Sequence, residues 1–173
     1  GSGMIGLSVI SAAAAKEAEV IAIDIDDGKL AIANKAGAKH LINSSKEKLH
    51  LRLMEITDGH GPIVAVEAIG IPETYRSAVE EVAYTGRVVY IGYAKEDVNY
   101  QTQLFVKKEL DLLGSRNSSK DDFARALKLL ESGQIPVEDV ISKIVPFADA
   151  GKMLVEWNEN PGSYTKIQVQ FEV

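Results

Sequence analysis

Short apolar runs that stop at an acidic residue or a glycine recur along this chain, and a helix-length stretch follows most of them. Val20, Ile21, Ala22 and Ile23 form one such run ending at Asp24, the pattern of a strand covered on both faces. A helix is expected over 27–36, with an acidic start and Gly37 placed to close it. The alternation then predicts a strand at 40–43, a helix at 45–57, a strand at 63–68, a helix from Pro72 to 83, and a strand at 87–91. A strand at 110–114 and a helix at 120–131, with Phe123, Leu127 and Leu130 at helical spacing, complete the series. Such alternation calls for a parallel sheet flanked by helices, an α/β doubly wound architecture with right-handed crossovers.

Composition bounds the partners. With 173 residues, 46% apolar and 25% charged, the chain can bury a core, and its net charge of −6 offers no basic excess for nucleic acid or an anionic membrane. Small-molecule partners are expected instead. The chain contains no cysteine, which excludes disulfides, thiolate catalysis and cysteine-held metal within it. His40, His50 and His60 have no partners at metal-ligand spacing and read as surface or turn histidines, so no metal ligands are assigned. There is no apolar run of bilayer length and no charged leader, so a cytoplasmic protein is expected.

The residues that carry chemistry begin at Gly1-Ser2-Gly3-Met4-Ile5-Gly6, a G-x-G-x-x-G pattern running into an alanine-rich helix expected over 4–15, buried on most sides. Gly1 would allow the tight turn, Gly3 would let backbone approach a pyrophosphate, and Gly6 would let helix and sheet pack closely. Free N–H groups and the dipole at the helix start favour the phosphate charge. A flexible turn is the competing reading of the glycines alone. Asp24, ending the next strand, weighs against it, because a strand-end carboxylate can accept the ribose hydroxyls of an adenosine. The same carboxylate repels a 2′-phosphate, so NAD is favoured over NADP. Lys29, one turn into the following helix, is either a solvated lysine or an adenosine-ribose contact.

The strings GSGMIG, VIAIDIDDGKLAIANKAGAKHLIN, VAVEAIG, GRVVYIGY and LLGSRNSSKDDF together resemble the medium-chain zinc alcohol, sorbitol and sugar-acid dehydrogenases, over essentially the whole chain. The resemblance implies a Rossmann-like NAD-binding portion at 1–134 and a C-terminal segment at 135–173 that returns to the catalytic domain. It implies cofactor contacts at Gly1, Gly3, Met4, Ile5, Gly6, Asp24, Ile25 and Lys29. Ala68, Ile69 and Gly70, with Ile91, Gly92 and Tyr93, match the two strand-end turns of the nicotinamide side. Ser115 and Arg116 match the segment that closes over the nicotinamide, and Lys166 a basic pyrophosphate contact.

Departures from the family matter as much. The domain that supplies zinc there, through a cysteine, a histidine and a further ligand, has no counterpart in these residues, so no catalytic residue is assigned and no turnover is expected of this chain. The apolar strand that precedes the glycine motif in the family is also missing, so the strands ending at Asp24 and Ala68 are not expected to pair directly. The stretches 141–147 and 166–171 are expected to be isolated strands whose partner is lost, and 110–114 to be a dimer edge, giving a homo-oligomer through strand edges.

The resulting expectation is the cofactor-binding portion of an NAD-dependent alcohol, polyol or sugar-acid dehydrogenase whose zinc is held elsewhere. Two other classes remain: an NAD(H)-sensing module without catalysis, which needs only the glycine turn and Asp24, and a methyltransferase. The turns at Gly70 and Gly92 and the dehydrogenase-like tail favour the first.

Overall fold

The computed structural model describes residues 1–171. The glycine turn leads into α1 (Met4–Ala14), which buries Gly6, Leu7, Ile10 and Ser11 along one side. β1 (Ile21–Asp24), α2 (Asp27–Lys35) and β2 (His40–Asn43) form the first strand-helix-strand unit, with β1 and β2 parallel and Asp24 opposite Asn43. Asp26 caps α2 by accepting the Lys29 N–H at 3.0 Å. Gly37 leaves the helix at φ +104, the left-handed region where a side chain would be strained.

After α3 (Leu49–Ile56) come β3 (Val64–Glu67), α4 (Pro72–Glu81), β4 (Arg87–Tyr90), α5 (Gln103–Lys107) and β5 (Asp111–Gly114). Strands β3, β4 and β5 form a second parallel sheet in that order. Among the described residues β1 and β3 share no ladder, as expected from the sequence. The chain start lies between their carboxyl ends: the Ser2 N–H donates to Asp24, and Gly1 lies against the Ile69 side chain.

The core divides with the sheet. Leu7 and Ile10 of α1, Ala22 of β1, Leu30 and Ala33 of α2, and Val140 make one cluster. Val79, Val82 and Val88 make another, packed by Tyr90, Tyr100 and Phe105. On β1 Ala22 is fully buried, and Ile21 and Ile23, which point to the opposite face, are partly buried. α3 begins later than expected. The Asn43 side chain accepts both the N–H and the hydroxyl of Ser45, which holds the chain in a turn until Leu49.

α6 (Lys120–Glu131) forms where expected, opened by a reciprocal Ser119–Asp122 capping box. Its apolar residues Phe123, Leu127 and Leu130 are nevertheless exposed rather than packed on the sheet. The tail differs from expectation. After α7 (Val137–Val140), β6 (Ile141–Pro146) and β7 (Lys166–Gln170) are not isolated but pair parallel with each other, joined through α8 (Ala150–Glu159). Val145 of β6 and Met153 of α8 are buried in this unit.

Candidate functional site

Most of the residues expected at the site lie at or beside the carboxyl ends of the parallel strands. Asp24 ends β1, and its carboxylate accepts three main-chain N–H groups: Ser2 at 2.7 Å on Oδ2, with Ile25 at 2.8 Å and Asp26 at 3.1 Å on Oδ1. A carboxylate has about four acceptor directions, so one on Oδ2 stays open. The strand-end acid is thereby locked to the glycine turn, 22 residues apart in sequence.

The three glycines of the turn differ in what surrounds them. A Cβ at Gly6 would lie 1.8 Å from the Gly1 carbonyl oxygen, so α1 can approach the turn only with glycine there. A Cβ at Gly1 would lie 2.4 Å from Ile69. At Gly3 a Cβ would meet nothing within 4 Å, so the fold does not need that glycine and the space above it is open. Gly3 caps α1 without a side-chain hydrogen bond, and no acidic residue stands in the first turn. The first bond of the helix runs from the Leu7 N–H to the Gly3 carbonyl, which leaves the N–H groups of the first turn for an outside acceptor. Met4 packs on the core, whereas Ile5 is half exposed and Ile25, beside Asp24, is 71% exposed.

Beyond β3 and β4 two turns are built on each other. Gly70, at φ +89, passes so close to the next segment that a Cβ would lie 2.6 Å from the Tyr93 nitrogen. Gly92 lies equally close to Gly70, and its N–H, like that of Ile91, donates to the Glu67 carbonyl at the end of β3. The Glu67 side chain accepts from Ile69 N–H at 2.8 Å, Gly70 N–H at 2.9 Å and the Thr74 hydroxyl at 2.7 Å. Ala68 is half-buried between Glu67 and the exposed Ile69.

A tyrosine ladder supports the second turn: the Tyr75 hydroxyl donates to the Gly92 carbonyl, and the Tyr75 and Tyr90 rings stack at 4.3 Å. Tyr100 donates to the Tyr90 hydroxyl at 3.1 Å. Burial, then the Tyr100 contact, pushes the Tyr90 phenol far above its ordinary range, and burial raises Tyr100 as well.

At the end of β5 the Ser115 N–H donates to the Tyr90 carbonyl at 2.9 Å. The Arg116 guanidinium lies over the Tyr93 ring, 5.1 Å from its centroid, and donates to its hydroxyl. The structure thus draws together the segments around Gly1, Asp24, Gly70, Gly92 and Arg116. Lys29 stands beside them in the first turn of α2. Lys166 does not join them: it opens β7 on a separate sheet, opposite Ile141. Sequence reasoning missed Glu67, Thr74 and Tyr75. Glu67 carried a signal, since a glutamate closing an apolar run and followed by a glycine is costly to bury without purpose.

The histidines fall elsewhere. His40 contacts Glu19 at 2.7 Å and His50 contacts Glu81 at 2.8 Å, while His60 sits in an exposed turn. A cleft of about 550 Å³ near the amino ends of β3 and β4 is lined in part by His50, His60, Glu81 and Lys108. Its lysine is committed, because Lys108 Nζ donates to the carbonyls of Val79, Glu80 and Val82 at the end of α4.

Parallel strands ending in a glycine turn, a locked carboxylate and two interleaved glycine turns define a Rossmann-like α/β fold. Residues 5–132 match the model of the zinc-binding dehydrogenase family, and the chain belongs to that family. An uncharacterized zinc-type alcohol dehydrogenase-like protein of Haemophilus influenzae is 32% identical over 171 residues, 99% of this chain and 50% of that protein. The D-arabitol-phosphate dehydrogenase of Enterococcus avium is 31% identical over 162 residues, 92% of this chain and 44% of that protein. The crystal structure of 2R,3R-butanediol dehydrogenase from Bacillus subtilis superposes with a TM-score of 0.87 at 26% identity, covering 98% of this chain and 49% of that one. The chain spans about half the length of the curated relatives it matches. Among the described residues no helix is long and apolar enough to cross a membrane.

Proposed function

We propose that this chain is the dinucleotide-binding portion of a zinc-dependent alcohol dehydrogenase that moves a hydride between NAD and a secondary alcohol, a polyol or a sugar acid. The observation that carries the reading is the 2.7 Å bond from Ser2 N–H to Asp24, which sets the open space at Gly3 and the strand-end carboxylate side by side. In this reading the open space above Gly3 takes the pyrophosphate and the free N–H groups of Met4, Ile5 and Gly6 hold its charge. The open Oδ2 direction of Asp24 takes a ribose hydroxyl, with Lys29 nearby. The exposed side chain of Ile25, beside Asp24, offers an apolar face for adenine. The turns at Ala68, Ile69 and Gly70 and at Ile91, Gly92 and Tyr93 orient the nicotinamide, with Ser115 and Arg116 closing over it. Bound NAD would supply the hydride acceptor; the chain's own residues bind and orient.

Residues 1–134 form the cofactor portion in this reading, and 135–173 belong with a catalytic domain. The zinc of the family finds no fit here. There is no cysteine, and His40 and His50 are engaged by Glu19 and Glu81 on different elements, so its ligands are assigned to the remainder of the enzyme. The exposed edge of β5, bearing Leu112 and Leu113, is the surface we assign to homo-oligomer formation. A cytoplasmic setting, where NAD(H) is exchanged, goes with this reading.

Titrating the chain with NADH, NADPH and S-adenosylmethionine tests it. Saturable NADH binding is expected, weakened roughly tenfold or more by Asp24→Ala through loss of a charge-assisted hydrogen bond. Binding of S-adenosylmethionine alone would replace it with a methyltransferase reading.

A further inference from the structure

Glu67 is the one ionisable side chain buried among the described residues, at 4% exposure. Burying a carboxylate is unfavourable unless something specific requires it. No lysine or arginine among the described residues forms an ion pair with it. One oxygen, Oε1, takes all three donors, Ile69 N–H, Gly70 N–H and the Thr74 hydroxyl, while Oε2 has no partner. That oxygen lies under Gly92, where a Cβ would come within 2.5 Å of it. The Glu67 carbonyl meanwhile accepts from Ile91 at 2.9 Å and Gly92 at 3.1 Å. A single residue thus fixes both turns, one through its side chain and the other through its main chain. An apolar residue could end β3 with less desolvation, but it could not hold the Ile69 and Gly70 N–H groups.

We infer that Glu67 is a positioning residue for the nicotinamide half of the cofactor, acting through the Gly70 and Gly92 turns without touching the ligand. This rests on the cofactor reading above. It predicts a division that a general stabilising role would not produce: the nicotinamide end of the ligand depends on Glu67, and the adenosine end, held at Asp24 and Gly3, does not.

The test is to titrate the full chain with NADH and with ADP-ribose, which has the adenosine and pyrophosphate but no nicotinamide. Glu67→Ala should weaken NADH about tenfold and leave ADP-ribose within about twofold, the effect of losing buried hydrogen bonds at one end. Glu67→Gln keeps a carbonyl acceptor and should restore most of the NADH affinity. Thr74→Val removes one donor with little change of shape and should move NADH in the same direction by roughly threefold. If Glu67→Ala does not fold, these two milder variants decide. Equal weakening of both ligands, no change in either, or equal affinity of the unsubstituted chain for both overturns the inference and leaves the cofactor reading standing. Failure of the unsubstituted chain to bind either ligand overturns both.

Discussion

Gly3→Ala and Gly6→Ala should separate ligand binding from folding within one six-residue turn. Gly3 has φ −74 and ψ −169, which alanine can adopt, and a Cβ there meets nothing within 4 Å. Lower entropy of the unfolded chain favours alanine by about 0.4–1 kcal/mol, and the poorer helix cap offsets it by a similar amount. Stability should therefore stay within about 1 kcal/mol of the unsubstituted chain. The methyl group would occupy the space into which a pyrophosphate must come, so NADH affinity should fall by roughly tenfold or more, about 1.4 kcal/mol. At Gly6 the added Cβ would lie 1.8 Å from the Gly1 carbonyl oxygen. That is about 1.5 Å short of an ordinary carbon–oxygen approach of roughly 3.3 Å. α1 must move, at a cost of about 1–3 kcal/mol or more. Urea unfolding followed by circular dichroism gives the stabilities, and nicotinamide fluorescence gives the affinities. A folded Gly3→Ala chain that binds NADH as tightly as the unsubstituted one would show that the open space at Gly3 does not take the pyrophosphate.

Three other outcomes follow from the same geometry. Lys108→Met removes the cation that satisfies three carbonyls at the end of α4 and should cost about 1–3 kcal/mol in urea unfolding, with no change in NADH affinity relative to ADP-ribose. Gly70→Ala forces a side chain to φ +89 and against the Tyr93 backbone, and should destabilise by roughly 2–4 kcal/mol in the same assay. Tyr90 and Tyr100 bind their protons more tightly folded than unfolded. Their contribution is therefore full below the ordinary tyrosine range and is lost as pH rises above it. Alkaline absorbance titration should show these phenols ionising late, together with loss of structure; their ionisation in the ordinary range with the fold intact would contradict the buried ladder.

The strands and long helices were legible because their signals are local. The run into Asp24, the Pro72 start and the Gly37 stop are each read from a few adjacent residues. What escaped depended on partners distant in the chain. α5 is five residues long and owes its place to Phe105 packing beneath β4 and Tyr100, which no periodicity over so short a span reveals. The parallel pairing of β6 with β7 sets Ile141 opposite Lys166 across α8, and neither strand's sequence names its neighbour. In the site, the glycines, Asp24 and the strand-end turns were visible as motifs. Glu67 was passed over as part of VAVEAIG because its role lies in donors supplied by the backbone fold and by Thr74. The exposure of Phe123, Leu127 and Leu130 was equally hidden, since amphipathic spacing shows which side of a helix is apolar but not what covers it.

Recognition of NAD across the glycine turn, Asp24 and the two interleaved turns can be read from amide chemical shifts of the chain on addition of NADH. The largest changes should fall on Gly3, Met4, Ile5, Gly6, Ile25, Ile69, Gly70, Gly92 and Tyr93. Saturable changes confined to the cleft around His50 and Lys108, or to the β6–β7 pair, with those amides unmoved, would contradict it.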